Sequence, residues 1–396
     1  MSIERHLHVM DLSCEAYWLR YSGRPCTSLY YWRQHNHLVS LNICKRAFCT
    51  SRTTCLKLTG ELPMSALNMG DTTKGTPEMR LLLASARKIL RPADSERIAE
   101  LCHGPLDWQT FLNLLDRHYL LPLVWYSLKT CDNMPIPEPI RRSFHRQAEK
   151  HVQDALIQTA ELLRLVQLFE VAGIPVMPFK GLVLAMQAYG TLALRHAGDL
   201  DLLINPASIG DADRILLAAG YIRTTPGCTL SPSQTRAFMR IRKDFTYIHG
   251  TRGVHVELHW RWCQNAYLFP LSFEELYASR MFVKISSACI AAMPREALLL
   301  YLCAHGAHTG WFRLKWLCNI PALIDDGVGL DMSALVRQAR DLGVSRMLSQ
   351  GLLLAHHVLE MPLPPPMSEI IRQDRIVLKG LVNIAKQARE RPLLLD

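Results

Sequence analysis

The hydrophobic period of the chain changes at Ile174, and that change limits the possible folds more than any other feature. Upstream, apolar residues recur at helical spacing. Downstream, "IPVMPFKG" and "DLDLLI" are short apolar runs of the strand kind, separated by the helical "LVLAMQAYG". These units close on glycine, at Gly181, Gly190 and, after "DADRILLAAG", Gly220. "DFTYIHG" and "GVHVELHW" flank a turn from Gly250 to Gly253 and read as a β-hairpin. Strands that alternate with helices and end in a hairpin predict an α/β (α+β) core, a mixed sheet with helices packed on it.

Helical segments flank this core, which spans residues 174–293. In residues 76–173, "PEMRLLLASARKIL" opens with Pro then Glu, and "DSERIAELCHG" opens on an Asp/Ser cap and stops at Gly104. "LDWQTFLNLLDRHYLLPLVWYSL" continues the helical pattern, and a long helix follows Pro139 and closes at Gly173. Residues 294–396 are again helical, with a proline-rich "PLPPP" loop before a final helix. Residues 1–75 lack a sustained period and read as a poorly ordered leader. Either the natural start lies at Met64, Met69 or Met79, or the segment is a basic, cysteine-containing interaction tail.

Composition narrows the function classes. The chain carries 45 Lys and Arg against 35 Asp and Glu, which favours anionic partners such as nucleotides or phosphorylated metabolites. The basic residues are scattered, with no stripe of interleaved aromatics, so no DNA-binding motif is indicated. No apolar run reaches the roughly 18 residues of a membrane span. The N-terminus lacks the apolar core of a signal peptide. None of the 12 cysteines forms a C-x-x-C pair, so neither a zinc ribbon nor a redox motif is indicated, and without a secretion signal the thiols are expected to be reduced. A cytoplasmic location is expected.

The chemistry concentrates in "RHAGDLDLLINP". Residues i and i+2 of a strand share a face, so Asp199 and Asp201 project together while Leu200 and Leu202 face the core. Two carboxylates so close repel unless a cation lies between them, and oxygen ligands suit Mg²⁺. In "VHVELHW", His255, Glu257 and His259 share one face; beside "DLDLLI", Glu257 would complete a three-carboxylate cluster. The turn "FKG" ends a strand and opens a helix, where backbone N–H groups can meet a phosphate. There Gly181 permits close approach, Lys180 adds a charge, and Arg195 is within reach of the same cleft.

The order "KG", "YG", "R..GDLDLLI" and "VELHWRW" resembles the nucleotidyltransferases of the DNA polymerase beta-like superfamily. More narrowly it resembles the bacterial group of uncharacterised nucleotidyltransferases, through "PEMRLLLASAR", "LDWQTFLNLLDRHYLLPL" and "CAHGAHTGWFRLKWLCNI". The resemblance spans roughly residues 77–360. It implies a nucleotidyltransferase-type mixed sheet and transfer of a nucleoside monophosphate from an NTP, ATP among them, to an acceptor, with release of pyrophosphate. Asp199, Asp201 and Glu257 would hold Mg²⁺, with a two-ion site possible, and Glu257 would be placed to activate the acceptor. Lys180, Gly181 and Arg195 would bind the nucleotide. The acceptor is open: a small molecule, a protein hydroxyl or an RNA end. Two positions depart from the pattern: Lys180-Gly181 replaces Gly-Gly or Gly-Ser, and Asn319 replaces a common aspartate.

Plainer readings exist for each feature. Asp199 and Asp201 can cap turns or pair with Arg195, and Glu257 can be an exposed edge residue. Lys180 can be a solvated strand end. His255, Glu257 and His259 can form a zinc site, although a fourth partner is missing. Trp311 and Trp316, after His305 and His308, read as core aromatics, with Arg313 and Lys315 as a basic rim near the triphosphate. At the level of the whole chain, the rival to an enzyme is a non-catalytic nucleotide-sensing or partner-binding protein that keeps the fold.

Overall fold

Prolines start several of the N-terminal helices, because a first-turn residue has no intrahelical use for its N–H. The computed structural model describes residues 75–131, 134–264, 269–325 and 329–364. The expected leader (save its last residue) and the expected final helix lie outside these residues. Pro77 opens α1 (Pro77–Ser85), Pro92 opens α2 (Pro92–His103), and Asp107 caps α3 (Trp108–His118) by accepting from the N–H groups of Gln109 and Thr110. Pro122 and Pro139 lie in the first turns of α4 (Leu121–Thr130) and α5 (Glu138–Val171).

Two details differ from the periodicity. The helix expected to be capped at Asp94-Ser95 starts at Pro92, and Asp94 instead bonds back to the Arg91 backbone and guanidinium. The run through "RHYLLPL" breaks at Tyr119, whose left-handed backbone (φ 53°) turns the chain between α3 and α4.

From residue 174 the expected alternation appears as β1 (Val176–Pro178), α6 (Gly181–Tyr189), β2 (Leu200–Ile204), α7 (Ile209–Ala218), β3 (Tyr221–Thr225), α8 (Pro232–Ile241), β4 (Asp244–His249) and β5 (His255–His259). The five strands form one mixed sheet in the order β1-β2-β5-β4-β3. β2 and β5 run parallel, while β1/β2, β4/β5 and β3/β4 are antiparallel. The β4/β5 hairpin stands where the Gly250–Gly253 turn requires it. β3 is an edge strand of alternating burial, too polar to be distinguished from a loop by its apolar residues. α9 (Phe273–Ala278) and a second hairpin, β6 (Met281–Ile285) with β7 (Ala288–Ala292), complete this region.

The chain ends, within the described residues, in α10 (Arg295–Thr309), α11 (Leu314–Ile324), α12 (Met332–Asp341) and α13 (Ser345–Leu359). Two hydrophobic clusters organise the described residues. One is built by both helical flanks together and includes Phe111, Trp125, Leu299 and Leu352, reaching the sheet at Met177, Phe179 and Leu203. The other packs Leu162, Leu165 and Phe169 of α5 and Leu216 of α7 against Leu200, Leu202, Val256 and Leu258. α6 lies between them, giving Leu182 and Val183 to the second cluster and Leu184 and Ala188 to the first. No helix among the described residues is long and apolar enough to cross a membrane, and the described cysteines are free thiols.

Candidate active site

The parallel pairing of β2 with β5 sets Asp201 directly opposite Glu257, and the antiparallel pairing of β5 with β4 sets Glu257 opposite Thr246. Because side chains alternate along a strand, Asp201, Glu257 and His259 share one face while Leu200, Leu202, Val256 and Leu258 pack into the core on the other. The adjacency on which a carboxylate cluster depends is therefore a property of the fold. Asp199 immediately precedes β2, half-buried, whereas Asp201 is 3% exposed.

Gly181 explains the entry to the site. Its backbone is left-handed (φ 51°), and a Cβ there would stand 3.1 Å from the Asp199 carbonyl oxygen. Only glycine lets the start of α6 approach the acidic loop this closely.

The two cations expected to hold nucleotide are otherwise engaged. Lys180 Nζ donates to Asp201 Oδ1 at 2.7 Å. Arg195 is buried, donating to Asn319 Oδ1 at 3.1 Å and to the Gly181 carbonyl at 3.1 Å. Asn319 thus gives Arg195 a neutral acceptor from α11. The Arg195 bond ties that helix to the turn that starts α6.

His259 is the residue that the zinc reading named and the carboxylate reading omitted. It is fully buried, with Nε2 2.9 Å from Asp201 Oδ1 and 3.0 Å from Glu257 Oε2. Asp201, Glu257 and His259 each offer a ligand atom within 4.8 Å of the others, a group that Asp199 does not join. His255, its expected companion, is exposed and stands apart from that group. The signal available in the sequence was the i, i+2 relation of Glu257 and His259; their shared contact with Asp201 needed the sheet.

Charge is unevenly distributed in the site. The charge of Asp201, then burial and Glu257, push the Asp199 carboxyl up to about 6. For Asp201 burial acts upward, but Lys180 and the His259 hydrogen bond outweigh it and hold the carboxyl below its usual range. Glu257 is held low in the same way: burial opposes, and His259, Lys243 and Lys180 prevail. Lys243 also pairs directly with Asp244 and, at 3.3 Å, with Glu257. Asp201 and Glu257, with the His259 imidazole between them and Asp199 beside them made harder to ionise, offer the oxygen donors that a hard divalent cation takes.

Asp199 and Glu257 face a cleft of about 360 Å³, which Thr224, Thr246 and His255 also line. Tyr119, His196, Arg313 and Lys315 from outside the sheet complete it. That volume suits a small-molecule ligand.

A mixed sheet with an Asp-x-Asp step leading into one strand, and a glutamate in register on its parallel neighbour, is a nucleotidyltransferase-type core. The family comparison agrees: residues 104–360 match the model described as uncharacterised nucleotidyltransferase, and the chain belongs to that family. Among solved structures, the chain is similar to the antibiotic-resistance factor ANT(2'')-Ia, with 13% identity and a TM-score of 0.31 over 50% of this chain and 96% of that one. No curated protein matches the sequence.

Proposed function

We propose that this nucleotidyltransferase moves a nucleoside monophosphate from an NTP to an acceptor in an Mg²⁺-dependent reaction in the cytoplasm. The observation that carries the reading is the register of Asp201 with Glu257 beside Asp199, at a cleft of substrate size. Asp199 and Glu257, with Asp201 beneath them, would hold the cation. When bound, it supplies neutralisation of phosphate charge and alignment of the in-line attack.

An acceptor oxygen attacks the α-phosphorus and releases its proton to solvent, the bond from that phosphorus to the bridging oxygen breaks, and pyrophosphate leaves with the electron pair. Glu257, held ionised by His259 and Lys243, is a weak proton acceptor. That favours a ligand role over the acceptor-activating role. Lys180 and His259 fix the Asp201 carboxylate in place. The acceptor class stays as broad as a small molecule, a protein hydroxyl or an RNA end.

One observation favours the rival, a nucleotide sensor without turnover: Lys180 already supplies a positive charge to Asp201. Pyrophosphate release from each of the four NTPs, with and without Mg²⁺, separates the two over a panel of acceptors. Turnover lost in Asp199→Asn and Glu257→Gln supports the enzyme; NTP binding with no pyrophosphate from the unaltered chain supports the sensor.

A further inference from the structure

With Lys180 bound to Asp201 and Arg195 buried against Asn319, the cleft needs another source of positive charge to receive a triphosphate. Its helical wall has one. Arg313, at the N-cap of α11, places its guanidinium carbon 4.1 Å from the centre of the Tyr119 ring. Lys315, in the first turn of the same helix, places its ammonium 4.5 Å from that centre. Among the described residues, no carboxylate lies within 4.0 Å of either cation.

The wall is built rather than incidental. Tyr119 stacks on His196 at 4.7 Å and 21°, and His196 in turn on His151 of α5 at 5.8 Å and 19°. The N–H of Leu314 donates to His118 Nδ1 at 3.3 Å, tying the start of α11 to the end of α3. Further along α11, Asn319 is fixed by Arg195.

Two cations held over one ring repel each other, and a cation–π contact offsets that repulsion only in part. An anion between them removes the repulsion. A planar guanidinium that binds oxygens in pairs, beside an ammonium point charge, matches a phosphate chain. The cleft is then polar from side to side, with Asp199 and Glu257 on the sheet and Arg313 and Lys315 on the helical wall.

We infer that Arg313 and Lys315, seated on Tyr119, hold the β- and γ-phosphates of the nucleotide, so that the phosphate grip comes from the C-terminal helical region and not from the "FKG" turn. This rests on the nucleotidyl-transfer reading. It is tested apart from that reading by metal-free binding, with inorganic tripolyphosphate as the probe and EDTA present, followed by calorimetry. The unaltered chain should bind, and Arg313→Gln and Lys315→Gln should each weaken binding about tenfold or more. Lys315→Arg should retain it, and Asp199→Asn should bind at least as well as the unaltered chain.

Wild-type affinity in both folded Gln variants, checked by circular dichroism, overturns the inference. So does a simple phosphate monoester that competes as well as tripolyphosphate, because the seat would then serve a phosphorylated acceptor. Neither result touches the Asp199→Asn turnover experiment, whose failure removes the reaction and leaves the phosphate measurement standing.

Discussion

Lys180 decides how the acidic site stands without a cation. Its ammonium bonds a carboxylate with a side chain only 2% exposed, and losing one partner of such a buried pair leaves charge without compensation. Lys180→Met should lower stability by about 3 kcal/mol, softened by the remaining bond from His259. If Asp201 belongs to a cation site, Mg²⁺ should then raise the Tm of Lys180→Met more than that of the unaltered chain. Equal shifts in thermal unfolding would mean that Asp201 does not meet the cation. Residue-scale facts of this kind were partly legible. The alternation of "DLDLLI" and "VHVELHW" gave the faces on which Asp201, Glu257 and His259 lie. Which partner Lys180 chooses depends on a single rotamer between two segments, and periodicity carries no such information.

At the scale of elements, α10 and α11 place the cationic wall. Trp311 has a left-handed backbone (φ 55°) and donates its N–H to the Gly306 carbonyl at 2.9 Å, reversing the chain between the two helices. Its indole lies against Gly306, where an added Cβ would meet ring carbons at 2.3 Å. Gly306→Ala should therefore displace Trp311 and cost about 1–3 kcal/mol through overpacking. Denaturant unfolding checks the cost, and tripolyphosphate binding should weaken alongside it because Arg313 and Lys315 follow Trp311. Unchanged stability would show that the turn adapts freely. The sequence reading of Trp311 as a packing residue captures half of this. It misses the turn because the pattern "HGAHTGW" does not say which glycine the ring covers. β3 escaped for a related reason: a short, partly polar edge strand carries little apolar signal.

For the molecule as a whole, helical flanks far apart in sequence share one core and bring Tyr119 and Lys315 to the same cleft. Burial, then Arg195 and Arg313, push the Lys315 ammonium down to about 7, against the pull of Asp199 and Asp201. A lysine lowered on folding contributes stability above its ordinary value, and that contribution is lost as pH falls through about 7. An anion seated beside it restores the charged form, so binding takes up a proton. Metal-free tripolyphosphate affinity should fall roughly tenfold between about pH 6 and about pH 8, and Lys315→Arg, charged throughout, should flatten the protein's share of that slope. An identical slope in that variant would separate Lys315 from the anion. The alternation of strands and helices between helical flanks was legible from the change of period at Ile174. The pairing of Asp201 with Glu257, on strands separated by two helices and two other strands, was not, because it is fixed by sheet order.

Whether Asp199, Asp201 and Glu257 act together as the cation-holding centre of nucleotidyl transfer is decided by turnover. Its most direct measurement is Mg²⁺-dependent pyrophosphate release by the unaltered chain and by Asp199→Asn, under conditions where both are folded and both bind NTP. Turnover is expected in the first and a loss of at least about a hundredfold in the second, the scale that follows when electrostatic stabilisation of the transition state is removed. Equal turnover in the two proteins would contradict that joint role.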